Sequence, residues 1–243
     1  MGAFAGPEIV NDGLVLHLDA NNLKSYPGSG NTIYDLVQSN DGTATTITTA
    51  ASALGTVIDY NTSTAIICTF TAFDKYSWSI SYIARGTGIP SSNYRGIWRL
   101  NPSDDLGGYV FYADTRETTA PYILHYQKDY HISSWNTQQV VSAANYLTGS
   151  PATAGPWYIV DTVYRTTGVG SPQPAEWETW VNGQSVGTVT ITKNISNFAD
   201  IDELSLNSSG SNSVELQHFK LYNRSLSEAE VKQNYNAVRG RLG

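Results

Sequence analysis

Glu176 and Glu178 stand two apart in EWETW, so on a strand both carboxyl groups project from one face. Two carboxyls about 5–5.5 Å apart are what a retaining glycoside hydrolase uses, one as nucleophile and one as acid. A solvated strand face carrying two acids accounts for the same pair, and that is the reading adopted. His17 and Asp19 alternate in the same way along GLVLHLDA and suit a His–Asp pair. No G-x-S-x-G elbow accompanies them to supply a nucleophile, so they are read as a structural hydrogen bond at a strand end. Carbohydrate binding asks for different residues: aromatic faces for sugar C–H groups, flanked by Asp, Asn or Gln for hydroxyls. GIWRL, GYVFYAD and PYILHYQ are rich in them, and the candidate surface set is Trp98, Tyr109, Tyr112, Asp114, Tyr122 and His125, with Trp135 nearby. Filling a core is the competing use of each. Lone Cys68 cannot form an internal disulfide, and no Cys/His spacing suits zinc.

These residues need strands to position them. YSWSISYIAR alternates Tyr76, Trp78, Ile80 and Tyr82 with Ser77, Ser79 and Ser81, which predicts one buried and one wet face. GLVLHLDA places Leu14, Leu16 and Leu18 opposite His17 and Asp19. TAIICTF, YRGIWRL, GGYVFYAD, YILHYQ, WYIVDTVY, EWETWV, SVGTVTIT, DELSLN and VELQHFKLY extend the set. Short strands separated by Gly, Pro, Asn and Ser turns mark an all-β sandwich or barrel. The composition agrees: charged residues are 14% and aromatics 12%, with 16 Tyr and 6 Trp. Tyr109 shares its phase with Phe111 and Tyr112 shares the other with Val110, so aromatics fall on both faces. Asn182-Gly183 between two strand-like runs predicts a two-residue type I′ hairpin. Residues 20–50 and 128–156 read as loop-rich.

The C-terminal VELQHFKLYNRSLSEAEVKQNYNAVRGRLG changes character within a few residues. Val214 and Leu216 share one phase and Phe219 and Leu221 the other, which requires a β-bulge between them. Ser227 and Glu230 then form a capping box, with Leu226 and Val231 as hydrophobic staple. Val231, Tyr235 and Val238 give one apolar stripe, and Gly240 suits a C′ stop. A helix over 227–239 this short is not stable alone. It is expected to dock over an open end or edge of the sandwich.

A net charge of −7 and a pI near 5.0 leave no basic stripe for phosphates, so nucleic acid is not an expected partner. No apolar run approaches the ~18 residues of a membrane span, and no secretory signal opens the sequence. The chain is expected to be one domain over 1–243, with residues 1–12 as an N-terminal arm, made in a host cytoplasm.

KLYNRSLSEAEV (220–231) resembles the last strand and closing helix of laminin-G-like, concanavalin A-like jelly-roll domains, where "IYNRALS-x-x-E-[IV]" recurs. WETWVNG (177–183) is similar to their "LYVNG" hairpin and YSWSISYIARG (76–86) to their "FTISFWVK" strand. GLVLHLDANNLKSYPGSGNTIYDL (13–36) and NYNAVRGRLG (234–243) resemble the opening "GLVLYLDAGN-x-x-SYPGSGTTWTDL" and closing "NFNATRGRYGI" of jelly-roll modules in bacteriophage virion proteins, especially those of cyanophages. Ile33-Tyr34 replace Thr-Trp, residues 37–42 replace a Gly/Asn-rich run, and Leu242 stands where an aromatic is common. The resemblance implies a two-sheet antiparallel jelly-roll sandwich with a short C-terminal helix. It also implies a non-enzymatic virion structural or accessory protein, a capsid decoration, fibre or tail adhesin-like module. Its partners would be other virion proteins, further copies of itself, and host glycans. A free carbohydrate-binding lectin is the alternative, and a glycoside hydrolase a further one; jelly-roll glucanases carry Glu-x-Asp-x-x-Glu, which Trp180-Val181 interrupts. Related domains hold Ca²⁺ at a loop rim, and Asp104 and Asp105 in NPSDDLGG would serve there, although a plain turn explains two adjacent acids; no cofactor or metal is expected.

Overall fold

The computed structural model describes residues 8–60, 64–87, 96–101, 111–116, 122–127, 138–144, 154–167, 174–191, 199–207 and 214–242. Within these the strands are β1 (Leu14–Asp19), β2 (Thr32–Ile33), β3 (Gly42–Thr43), β4 (Thr49–Ser52), β5 (Gly55–Asp59), β6 (Ile66–Phe73), β7 (Ser77–Gly86) and β8 (Gly96–Asn101). They continue as β9 (Phe111–Arg116), β10 (Tyr122–Gln127), β11 (Gln138–Ala144), β12 (Tyr158–Thr166), β13 (Ala175–Val181), β14 (Gln184–Ile191), β15 (Ile201–Leu206) and β16 (Val214–Tyr222), before helix α1 (Glu228–Val238) and a 3₁₀ turn over Arg239–Arg241.

Every pairing is antiparallel, and the strands form two eight-stranded sheets. Sheet A runs β14-β13-β12-β7-β16-β5-β4, with β1 also on β16; sheet B runs β11-β10-β9-β8-β15-β6-β3-β2. This is the expected all-β, two-sheet antiparallel sandwich closed by one short helix. Edge strands β11 and β14 lie against each other, so the two sheets cover one another's exposed edge there. The short strands β2 and β3, the start of β4, and β11 arise in the regions read as loop-rich.

Alternation turns Trp78, Ile80 and Tyr82 of β7 inward with Val160 and Tyr164 of β12 and Trp177 of β13. Trp78 stacks on Tyr164 at 5.2 Å between centroids and takes Trp98 and Trp177 edge-on at 5.8 and 5.5 Å. Stacked and edge-to-face geometries are what the ring quadrupoles favour. Asn182 and Gly183 carry φ of 50° and 74°, as the predicted hairpin between β13 and β14 requires. Gly183 also admits the Tyr235 ring, since a Cβ there would meet Tyr235 Cδ1 at 2.6 Å.

The bulge expected in β16 lies between Leu216 and His218 against β7. It lets Val214, Leu216, Phe219 and Leu221 all enter the inter-sheet core. A second irregularity separates Leu14 from Leu16 in β1, so Leu14 does not share the side of Leu16 and Leu18 as alternation predicted. Val15 faces the inter-sheet core while Leu14 joins a separate cluster with Val10, Val163, Trp180, Tyr222, Leu226 and Val231.

That second cluster shows where α1 docks. The helix lies over the outer face of sheet A rather than an end or edge, with a further apolar cluster of Val238, Leu54, Ile83 and Ile159 at its far end. Ser79 and Ser81 are therefore buried, not wet. Ser79 Oγ donates to Arg224 O (3.0 Å) and accepts from Leu226 N (2.8 Å), tying the strand to the chain entering the helix. The capping box and staple form as expected: Ser227 Oγ accepts from Glu230 N (3.4 Å), and Glu230 Oε2 accepts from Ser227 N (2.8 Å). Hydrogen bonds from Arg224 and from Ser227 hold the Glu230 carboxyl well below the usual range. Gly240 does not take a left-handed C′ conformation. The chain continues through the 3₁₀ turn, closed by Leu242 N to Arg239 O, so that Arg241 reaches Asp19.

Asn234 knits the arm, strand and helix together. Its Oδ1 accepts from Val10 N (2.9 Å) and its Nδ2 donates to Tyr222 Oη (3.1 Å), which donates to Val10 O (3.2 Å). Asn234→Ala strands buried polar groups on two other residues and is expected to cost about 2–4 kcal/mol in urea unfolding. Ser227→Ala, which removes only the cap, is expected to cost about 1 kcal/mol in the same assay.

Candidate functional site

The two outer faces differ. Beneath α1, the face of sheet A carries a row of cross-strand neighbours, His17, Lys220, Ser81 and Asp161, running over β1, β16, β7 and β12. Asp161 and Lys220 are each 1% exposed. Burial is the largest influence on both, pushing the Asp161 carboxyl up and the Lys220 ammonium down, and their mutual attraction opposes each shift. Neither Asp161 oxygen meets hydrogen-bond geometry, although Ser81 lies close enough to favour its ionised form. His17 and His218 bring their Nε2 atoms within 2.6 Å. Asp19 instead accepts from Arg241 Nη1 (2.7 Å) and from Asn21 N (3.0 Å), so the expected strand-end hydrogen bond is present but a His17–Asp19 pair is not.

Glu176 and Glu178 lie farther along the same sheet. Arg165 on β12 bridges them, Nε to Glu176 Oε2 at 3.0 Å and Nη2 to Glu178 Oε2 at 3.2 Å, and Ser185 Oγ donates to Glu178 Oε1 at 3.2 Å. Both carboxyl groups are thus already engaged, by one guanidinium and a serine hydroxyl. The arrangement is that of a surface ion-pair network.

On sheet B the outer face is solvent-facing. Thr69 and Thr71 of β6 are exposed, and Arg99, Asn101 and Glu203 are half-buried, with Asn101 Nδ2 donating to Glu203 Oε1 at 3.2 Å. Register extends this face outward, because directly opposed residues of paired strands share a face. Ser205, Arg99, Tyr112, Tyr126 and Gln139 form one row across β15, β8, β9, β10 and β11. Asp114 pairs with Leu124 and Arg116 with Tyr122 in the next rows of the same face. Of the sequence candidates, Tyr112, Asp114 and Tyr122 thus share one face.

The register also separates candidates. Trp98 is 0% exposed and belongs to the inter-sheet core, so its ring has no surface to offer a sugar. His125 pairs with Ala113, which pairs with Trp98, and so holds a position on the core-facing side. Tyr109, Trp135, Asp104 and Asp105 lie outside the described residues. Tyr126 and Arg99 were missed; Tyr126 was readable, since it follows Tyr122 at i+4 on one strand, while Arg99 needed the register of β8 on β9. Among the described residues no group of three His, Cys, Asp or Glu is placed to hold a metal, and no helix is long and apolar enough to cross a membrane.

No protein-family model matches the chain, and no curated protein sequence matches it. Solved structures share its fold. One is the botulinum neurotoxin serotype D ligand binding domain in complex with N-acetylneuraminic acid, with a TM-score of 0.62 and 12% identity over 93% of this chain and 51% of that one. Another is of botulinum neurotoxin type C, whose cell entry is dependent upon interaction with two ganglioside molecules, and gives 0.65 and 13% over 94% and 52%. The binding domain of Paraclostridial Mosquitocidal Protein 1 gives 0.59 and 14% over 93% and 52%. The chain spans about half the length of these structures. At such identity the likeness is one of fold.

Trp98→Ala is expected to lower stability by about 3–5 kcal/mol in denaturant unfolding, the cost of a large buried aromatic cavity. A loss below about 1 kcal/mol would return Trp98 to the surface set.

Proposed function

We propose that the protein is a non-enzymatic glycan-binding sandwich module of a phage virion structural or accessory protein, presenting the outer face of sheet B to host surface carbohydrate. One observation carries the glycan part: backbone register gathers the positions of Tyr112, Tyr122 and Tyr126 with those of Asp114 and Arg99 on one side of one sheet, the side on which Thr69 and Thr71 are exposed. Tyrosine faces suit the C–H surfaces of a sugar ring, and the carboxylate and guanidinium suit its hydroxyls. One fold neighbour is in complex with N-acetylneuraminic acid and another depends on interaction with two ganglioside molecules for cell entry, which supports the same class of ligand here. The virion role rests on the sequence resemblance, with other virion proteins and further copies of the chain as partners and the particle as its location. No catalytic step and no cofactor enter this reading.

The full chain is expected to bind glycans saturably on an array, and EDTA to leave binding unchanged. Tyr112→Ala and Tyr126→Ala should each weaken it at least tenfold with an unaltered melting temperature. An array without any bound glycan would remove the carbohydrate role. Mass spectrometry of purified particles tests the other half: the chain is expected among their proteins, and its absence would remove the virion role.

A further inference from the structure

The His17–His218 contact stands apart from the proposed ligand face. Its rings lie 4.6 Å apart at 35°, on the outer face of sheet A, joining β1 to β16. Two imidazole nitrogens 2.6 Å apart share one proton, one ring donating and the other accepting. A second proton leaves two N–H groups facing each other and breaks the bond. Cations already crowd the pair: Lys220 on β16 and Arg241 on the 3₁₀ turn both oppose further positive charge there. The facing acids are engaged by other groups or lie farther off. Asp19 on β1 is engaged by Arg241, and Asp35 from the loop after β2 accepts from the backbone N of His17 at 2.9 Å. Asp161 lies beyond Lys220 and Ser81, under the body of α1.

Of these charges, Arg241 sits on the element most readily displaced. The 3₁₀ turn buries no residue of its own, and the Asp19–Arg241 bridge ties it to β1. Just before it, Val238 packs on Leu54, Ile83 and Ile159, with Leu242 and Trp157 partly buried at the margin.

We propose that the His17–His218 pair is an acid-operated latch: when both imidazoles are charged, Arg241 is repelled, its bridge to Asp19 breaks, and the C-terminal turn lifts off β1. The direction of titration agrees. Burial first, then Lys220, lowers His17 to about 4 and His218 well below its ordinary value. A histidine depressed in the closed state and near 6.5 when released stabilises closure fully above about 6.5, and that contribution is lost as pH falls toward the closed-state value. Each histidine contributes up to about tenfold per pH unit, and the two together up to about a hundredfold. Asp161 has the opposite sign, because burial raises its carboxyl. It stays covered when only the turn lifts, so it opposes acid unfolding of the whole molecule but not opening of the latch.

Hydrogen exchange of residues 228–242 in the full chain, corrected for intrinsic amide rates, tests this between pH 7 and 4.5. The opening equilibrium of residues 239–242 is expected to rise about fiftyfold between pH 6 and 5, and less than tenfold in H17Q, where one titrating ring remains. Unchanged protection across that range would overturn the proposal. So would a double variant H17Q/H218Q opening with the wild-type pH dependence, which would assign the effect to carboxylates such as Asp19 and Asp35. Should that variant not fold, imidazole NMR of the wild type decides: folded-state rings titrating well below 6.5 support the latch, and either ring titrating near 6.5 overturns it.

Discussion

Strand β16 is buried on both faces along its whole length, and most of the architecture answers to that constraint. One face meets sheet B through Val214, Leu216, Phe219 and Leu221, the bulge at Gln217 having corrected their phase. The other carries Glu215, Gln217, His218 and Lys220, polar groups that an outer sheet face would ordinarily leave in water. Once covered, they need partners inside the protein. Glu215 takes Arg85 at 2.7 Å, Gln217 Nε2 donates to Leu54 O at 2.8 Å, and His218 takes His17. The cover is built from the arm, α1 and the C-terminal turn, held by Asn234 and by Arg241. An eleven-residue helix has little stability in water alone, so helix and polar strand face depend on each other.

That coupling makes the molecule two-sided. Sheet A has given its outer face to the termini of the described chain. Sheet B keeps threonines, Arg99, Asn101 and Glu203 in contact with solvent, and its far strands add three tyrosine positions to the same side. A polar sheet face backed by a dense Trp/Tyr core is held by its backbone pairing, and such preorganisation lowers the ordering cost of binding a polar ligand. The ion pairs Arg165 makes with Glu176 and Glu178 lie on the other sheet, away from this platform.

Features set by local chemistry were legible in the sequence. The Ser227–Glu230 box, the Leu226–Val231 staple, the Asn182-Gly183 turn and the β16 bulge each follow from a few adjacent residues. Features set by what lies on top were not. Ser79 and Ser81 alternate with Trp78 and Ile80 as a wet face would, and only the docked helix makes them buried partners. Likewise β2 and β3, two residues each, have no room for periodicity. The ligand face was legible in part: Tyr112 and Asp114 share a phase on β9, but assigning Trp98 and His125 to the core side required the pairing of β8, β9 and β10. Asp19 found Arg241, some two hundred residues away, a contact no local spacing announces.

The arm, α1 and the C-terminal turn cover the middle of sheet A's outer face, while that of sheet B is uncovered among the described residues, and tyrosine footprinting reads this difference most directly. Limited nitration of the native chain, followed by peptide mass spectrometry, should modify Tyr112, Tyr122 and Tyr126 early and leave Tyr222, beneath the helix, and core Tyr82 and Tyr164 unmodified until unfolding. Modification of Tyr222 as fast as Tyr112, or protection of all three sheet B tyrosines, would contradict the account.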